Sequence, residues 1–252
     1  MAYNLKTPNL FVTILAWLTC SLFYGYSSCV ISAITTASSD MQDTLSISKF
    51  DFGMITSTFL FSYALMQIPV GIILDHYSVR KSIFYAIAGF TLGCAVISVS
   101  QSYYLVLFAR LVMGIFGAFG VLGAFKVATD FLPRNLFATL AGLTVSTGML
   151  GAILGTTLIT KLSGAGSYQQ AFLYYTYFGI LLTLSAFIFV QNSPGRKAQP
   201  SLENISREIQ SVLCNRMSMQ IIFYAMVLYT PYLILKDTYG IDFFEQYYNT
   251  SK

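Results

Sequence analysis

The stretch FGMITSTFLFSYALMQIPVGIILDHYSVRK, residues 52–81, decides the fold of this chain. Its apolar part is long enough for a helix to cross the hydrocarbon core of a bilayer, which takes about 20 residues. The apolar run then ends abruptly in Asp75, followed by the basic pair Arg80 and Lys81. An apolar run that stops at a charged loop is typical of a membrane-spanning helix and the connection that follows it.

The composition also indicates a membrane protein. Hydrophobic residues make up 56% of the 252-residue chain and charged residues only 10%, and the mean hydropathy is +0.66. Soluble domains carry about 25% charged residues. The net charge of +4 is too small to indicate a nucleic-acid partner. So few charges cannot build a water-facing surface, and we predict that the chain lies in a lipid bilayer.

Seven apolar runs follow one another along the chain, and each is predicted to be a spanning helix. They cover about residues 10–37, 52–74, 83–99, 105–128, 136–162, 171–190 and 219–235, the last being the weakest. None shows the period-two alternation of a barrel strand. The first run exceeds the apolar core of about 7–15 residues in a signal peptide, and we predict an uncleaved span.

The distribution of basic residues sets the expected orientation. With the N-terminus in the cytoplasm, the outer side carries only Lys49, Lys161, Lys236 and Lys252. The cytoplasmic side then carries the larger set, namely Lys6, Arg80, Lys81, Lys126, Arg134, Arg196, Lys197, Arg207 and Arg216. This excess satisfies the positive-inside rule, so we expect a cytoplasmic N-terminus.

The loop after the second run resembles the signature loop of the major facilitator superfamily of transporters, roughly G-x-x-x-D-R-x-G-x-R-K. The positions in register with it are Gly71, Asp75, Arg80 and Lys81. Two positions depart from the pattern, since His76 stands in place of an arginine and Ser78 in place of a glycine. The fourth run resembles a second family motif, in which an arginine precedes a glycine by four residues, here Arg110 and Gly114.

This resemblance implies an all-α membrane protein: the six-helix N-terminal bundle of the major facilitator fold plus a seventh transmembrane helix, truncated relative to the family's twelve spans. Residues 1–190 would form the bundle. Residues 191–218 would form a cytoplasmic linker with an amphipathic helix capped by Ser201. Residues 219–252 would form the seventh span and an outer tail, the start of a second half. The expected location is the bacterial inner membrane.

Four polar residues inside the runs are candidates for lining a solute cavity: Tyr24, Tyr63, Gln67 and Arg110. A guanidinium within a span costs several kcal/mol unless it faces a cavity or a partner. The alternative for Arg110 is snorkelling to the outer interface, and snorkelling is also the simpler interpretation of Lys126. The hydroxyl groups could instead bond their own helix backbones.

The signature loop is predicted to act as a cytoplasmic gate. Its residues are Gly71, Asp75, Arg80, Lys81, Asp130 and Arg134, and we expect Asp130 and Arg134 to pair with Arg80 or Lys81. In the family this loop also clasps the second half when the gate closes. Glycines that recur in the fourth and fifth runs, including the pair Gly151 and Gly155, predict close helix packing.

Two hypotheses about function remain open. By resemblance, the chain would transport a small polar solute such as an amino acid or dipeptide by alternating access, as an incomplete transporter that needs a second copy or a separately encoded C-terminal half. Alternatively, it is a truncated, non-transporting remnant of an interrupted transporter gene. The single histidine and the scattered cysteines assemble no catalytic or metal constellation, so we expect neither an enzyme nor a cofactor. No carboxylate stands clearly within a span, which leaves proton coupling open.

Overall fold

A computed structural model describes residues 10–163, 167–191, 210–211 and 214–234, and these residues contain helices but no β-strand. In chain order the helices are α1 (Leu10–Thr36), α2 (Ser38–Leu45), α3 (Lys49–His76), α4 (Val79–Val99), α5 (Tyr103–Gly117), α6 (Phe119–Phe131), α7 (Phe137–Ser163), α8 (Tyr168–Phe189) and α9 (Arg216–Ile234), with a short 3₁₀ turn at Arg134–Leu136. The predicted all-α fold is confirmed.

Six stretches within the described residues are long and apolar enough to cross a membrane. They are Leu10–Thr36, Lys49–His76, Val79–Val99, Tyr103–Phe131, Arg134–Lys161 and Tyr168–Phe189. Each corresponds to one of the first six predicted runs. The seventh run forms α9, and its insertion as a span stays a prediction.

Polar side chains set several helix ends. Ser48 caps α3 in a capping box, because its Oγ accepts a hydrogen bond from the Asp51 backbone N–H while Asp51 accepts one from the Ser48 backbone N–H. Ser78 caps α4 by accepting a hydrogen bond from the Lys81 backbone N–H. Such caps satisfy N–H groups that the first turn of a helix leaves unpaired.

Two features were not predicted. The short helix α2 follows the first span and buries Met41 completely. The fourth span is divided at Ala118 into α5 and α6. Glycines at positions 114, 117 and 120 surround that division, and helix breaks commonly occur beside such residues.

Helix α1 lies at the centre of the six-span bundle, where it packs against α6, α7 and α8, while α5 packs against α3 and α4. The core is rich in aromatic side chains. Phe90 makes edge-to-face contacts with Phe23 and Tyr26, with ring centroids 5.8 Å and 5.3 Å apart. These rings fix α4 against α1.

Glycines permit the closest helix contacts, as predicted. On α7, Gly151 packs against the carbonyl oxygen of Gly25 and Gly155 against that of Cys29. On α5, Gly114 packs against Ser62 and the backbone of Phe59. A side chain at any of these positions would occupy the space of a neighbouring backbone.

The chain divides into two compact units, Met1–Ala198 and Gln199–Lys252. The first contains helices α1 to α8, and the second contains α9. Ser201 and most of the linker predicted at 191–218 lie outside the described residues. In the second unit, the Asn215 side chain caps α9 by accepting a hydrogen bond from the Met217 N–H at 2.9 Å.

Candidate transport site and gate loop

Arg110 lies on α5 and is buried, with 1% of its surface exposed. Its Nε donates a long hydrogen bond of 3.4 Å to the carbonyl oxygen of Ile55 on α3. The guanidinium carbon lies 4.4 Å from the centroid of the Phe59 ring, a distance typical of a cation–π contact. Arg110 therefore does not snorkel to the membrane interface.

The guanidinium of Arg110 has no acidic partner among the described residues. Among the residues that the structure describes, no carboxylate lies within ion-pair distance of it, and its Nη1 is buried without a hydrogen-bond partner. A buried cation without a compensating anion is costly, because neither water nor a counter-charge replaces its hydration. An anionic group would relieve that cost.

Phe59 connects Arg110 to another predicted cavity residue. The rings of Phe59 and Tyr63 are stacked, with centroids 5.8 Å apart and an interplanar angle of 22°. Tyr63 is half-buried, and Gln67 follows it by one turn of α3 and is also half-buried. Tyr63 and Arg110 therefore both contact the Phe59 ring.

Tyr24 belongs to a different interface of the bundle. Its backbone packs against Gly120 of α6, and its ring packs against Gly148 of α7. One turn away on α1, Ser21 donates a hydrogen bond of 3.1 Å to the Thr147 hydroxyl. Some hydroxyls of the spans bond their own helix instead, such as Thr56, which donates to the Gly53 carbonyl at 2.9 Å.

Lys126, near the end of α6, binds two carboxylates. Its Nζ lies 2.9 Å from Asp75 Oδ1 and 3.2 Å from Asp130 Oδ1. The pair with Asp75 joins the end of α3 to α6, and the pair with Asp130 lies within α6, so Lys126 is an ion-paired rather than a snorkelling lysine. The pair of Lys126 with Asp130 could have been predicted from the sequence, because residues four apart on a helix are neighbours on its surface.

Arg80 interacts with the sixth span rather than with Asp130, so the expected pairing of Asp130 with Arg80 is wrong. Its Nη2 donates a 2.6 Å hydrogen bond to the Phe187 carbonyl oxygen, and its guanidinium lies 4.9 Å from the Phe187 ring centroid. That carbonyl lies in the last turn of α8, where a cation is favourable. Arg134 and Lys81 are exposed and make no ion pair within the described part of the chain.

The known sequences that this chain resembles include transporters. A sequence profile described as Major Facilitator Superfamily matches residues 14–250. The chain is 25% identical over 165 residues to the hexuronate transporter of Bacillus subtilis (strain 168), covering 65% of this chain and 39% of the relative. It is 26% identical over 151 residues to the D-galactonate transporter of Escherichia coli O6:H1, covering 60% of this chain and 35% of the relative.

A third relative is a putative multidrug resistance protein, MdtD, from Salmonella dublin. It is 26% identical over 159 residues, which cover 63% of this chain and 34% of the relative. The matched region therefore spans only a little over a third of the length of these three proteins.

The fold resembles that of a solved transporter. A bacterial homolog of the human lysosomal transporter Spinster, in an inward-facing and unoccupied conformation, superimposes with a TM-score of 0.66 at 18% identity. The match covers 75% of this chain and 45% of that chain. Since the profile covers most of the sequence and the six-span bundle repeats a transporter fold, this chain is an integral membrane protein that belongs to the Major Facilitator Superfamily.

Proposed function

We propose that this chain supplies the N-terminal six-span half of an alternating-access transporter for a small polar nutrient that carries a carboxylate. Amino acids, dipeptides and sugar acids share that group. One observation carries the proposal: Arg110 is a buried guanidinium without an acidic partner among the described residues.

The electrostatics of Arg110 favour an anionic solute. Two unit charges 4 Å apart interact by about 4 kcal/mol at an effective dielectric constant of about 20. The guanidinium of Arg110 is an uncompensated cation in the low-dielectric bundle, and it therefore attracts a carboxylate even though the Phe59 ring lies against it. In this proposal the solute approaches beside the Phe59–Tyr63 stack, and the polar groups of Tyr63 and Gln67 bind its remaining polar atoms.

The names of two relatives support an acidic solute, because hexuronate and D-galactonate are both sugar acids. The relative named as a multidrug resistance protein suggests a different class of solute. Apolar drugs would not compensate a buried guanidinium. Nothing in the comparisons favours the alternative of a non-transporting remnant.

Alternating access also needs a gate at one end of the site and a second half to close against. We propose that Lys126, Asp75 and Asp130 form the gate cluster and exchange partners when a second half docks. That second half would be another copy of this chain or a separately encoded C-terminal half.

Ligand binding tests the proposed solute on the chain itself. The purified protein would be unfolded thermally with an amino acid, a dipeptide or a hexuronate, each beside a matched solute in which an amide or a hydroxymethyl group replaces the carboxylate. A ligand that binds only the folded state stabilises it by about 2.7 kcal/mol at 100 times its Kd. We expect at least one acid to raise the unfolding temperature and its neutral counterpart to leave it unchanged. Equal shifts from both members of every pair, or no shift from any acid, would contradict the proposal.

Cysteine labelling tests the proposed cytoplasmic N-terminus. Cys214 is exposed while Cys20, Cys29 and Cys94 are buried, so labelling would start from a Cys214→Ser background. In intact cells, a membrane-impermeant maleimide should label Ser102→Cys, in the connection between α4 and α5, but not Ser78→Cys at the gate. The reverse labelling pattern would invert the topology.

A further inference from the structure

A crevice of about 550 Å³ runs between α1, α7 and α8, apart from the residues assigned to solute binding. We propose that it binds one acyl chain of an anionic phospholipid, whose headgroup lies beside Lys161. The volume falls within the range of about 300–1,000 Å³ that small-molecule sites occupy.

The crevice exists because α1 and α7 touch closely at its floor and α8 stands further away. Gly25 and Gly151 form that floor, where their backbones are in direct contact. The lips are large apolar side chains that are substantially exposed, namely Leu22, Leu150, Leu154, Leu158, Tyr174 and Phe178. A slot with an apolar floor and apolar lips, at the depth of the spans, matches a hydrocarbon chain.

The crevice and the proposed solute site are built from different helices. The crevice is lined by residues of α1, α7 and α8, whereas Arg110 lies on α5 and Phe59 and Tyr63 lie on α3. A polar solute would find no compensating charge in the crevice, whereas an acyl chain requires none.

Lys161 supplies the charge complementarity that selects an anionic lipid. It lies in the last turn of α7, three residues after Leu158, which places it about 4.5 Å further along the axis on the same face. The side chain is exposed, and no carboxylate within the described residues lies at ion-pair distance from it. A lysine at the end of a span extends towards the interface, where lipid phosphates lie.

Native mass spectrometry of the full chain would measure the retained lipid. The protein, purified in mild detergent, would be given equal amounts of phosphatidylglycerol and phosphatidylcholine. We expect one phosphatidylglycerol to be retained in preference to phosphatidylcholine. Lys161→Gln should reduce that preference by about fivefold, the effect of one favourable contact between a lysine and an anionic lipid.

Crevice-filling variants separate the acyl-chain contact from the charge contact. Leu154→Trp should lower retention of both lipids, because the larger side chain fills the slot. Leu143→Trp, at an exposed position on α7 outside the crevice, and Lys49→Gln, a charge removed at the start of α3, should retain lipid as the wild type does. Circular dichroism and size-exclusion chromatography would check folding, and Leu150→Trp, one turn earlier on the same helix, would fill the slot if Leu154→Trp aggregates.

Each outcome decides part of the proposal. Unchanged retention by both crevice-filling variants would show that the lipid lies elsewhere. Unchanged preference in Lys161→Gln would show that the occupant is not selected by charge. Loss of retention in Leu143→Trp as well would indicate that the whole apolar surface binds detergent and lipid without a defined slot.

Discussion

Replacing Arg110 with methionine is expected to abolish stabilisation by carboxylate solutes while leaving the protein at least as stable as the wild type. Replacing buried charged groups with apolar side chains of similar volume is often neutral or stabilises a fold by about 1–4 kcal/mol. Arg110 is buried without an acidic partner among the described residues, so its removal eliminates a desolvation cost and loses only the long bond to Ile55 and the contact with Phe59. Methionine is flexible enough to fill the vacated space.

The measurement is thermal unfolding with and without the solute that stabilises the wild type best. Arg110→Lys should restore only part of the solute effect, because an ammonium lacks the two-pronged geometry with which a guanidinium binds a carboxylate. Arg134→Met removes an exposed arginine that makes no ion pair in the described part of the chain, and it should change neither quantity. A wild-type solute shift in Arg110→Met would assign solute binding elsewhere. A strong loss of stability in that variant would mean that Arg110 is structural.

The positions of the six spans could be predicted because a bilayer imposes a single requirement, an apolar run of sufficient length. The same reasoning identified Arg110, since a charge inside such a run is conspicuous in any sequence. It also predicted the contacts of Gly151 and Gly155, because their spacing places both on one face of α7. Each of these inferences depends on residues that are close together in the chain.

The contacts between helix ends could not be predicted in the same way. They depend on which helices lie side by side, and that is not determined by residues close together in the chain. The hydrogen bond from Arg80 to Phe187 joins residues 107 positions apart. Lys126 reaches Asp75 across 51 positions, and from the sequence alone a lysine near the end of a span is explained as well by snorkelling. The division at Ala118 was missed because the glycines around it were interpreted only as packing positions.

Gly151→Ala is expected to destabilise the bundle by about 1–3 kcal/mol, the usual cost of inserting atoms into a well-packed interior. The added methyl group would meet the carbonyl oxygen of Gly25, which belongs to the backbone of α1 and cannot rotate away. Relief would require α1 and α7 to separate, and α1 is the central helix of the bundle. Gly142→Ala, on the same helix, is the matched control, because nothing lies within 4 Å of the added methyl group. That variant should be as stable as the wild type or up to about 1 kcal/mol more stable, because alanine favours a helix more than glycine does.

The double variant Gly151→Ala/Gly155→Ala tests whether the two substitutions destabilise the protein through the same contact between α1 and α7. Gly155 packs against the carbonyl oxygen of Cys29, one turn further along the same contact between α1 and α7. Once the first methyl group has pushed the helices apart, the second meets less resistance. The double variant should therefore lose less stability than the sum of the losses in the two single variants. Unfolding in SDS–detergent mixtures would give the free energies of the single and double variants. Additive losses would mean that each clash is absorbed locally, and equal stability of Gly151→Ala and Gly142→Ala would show that α1 and α7 are not in close backbone contact.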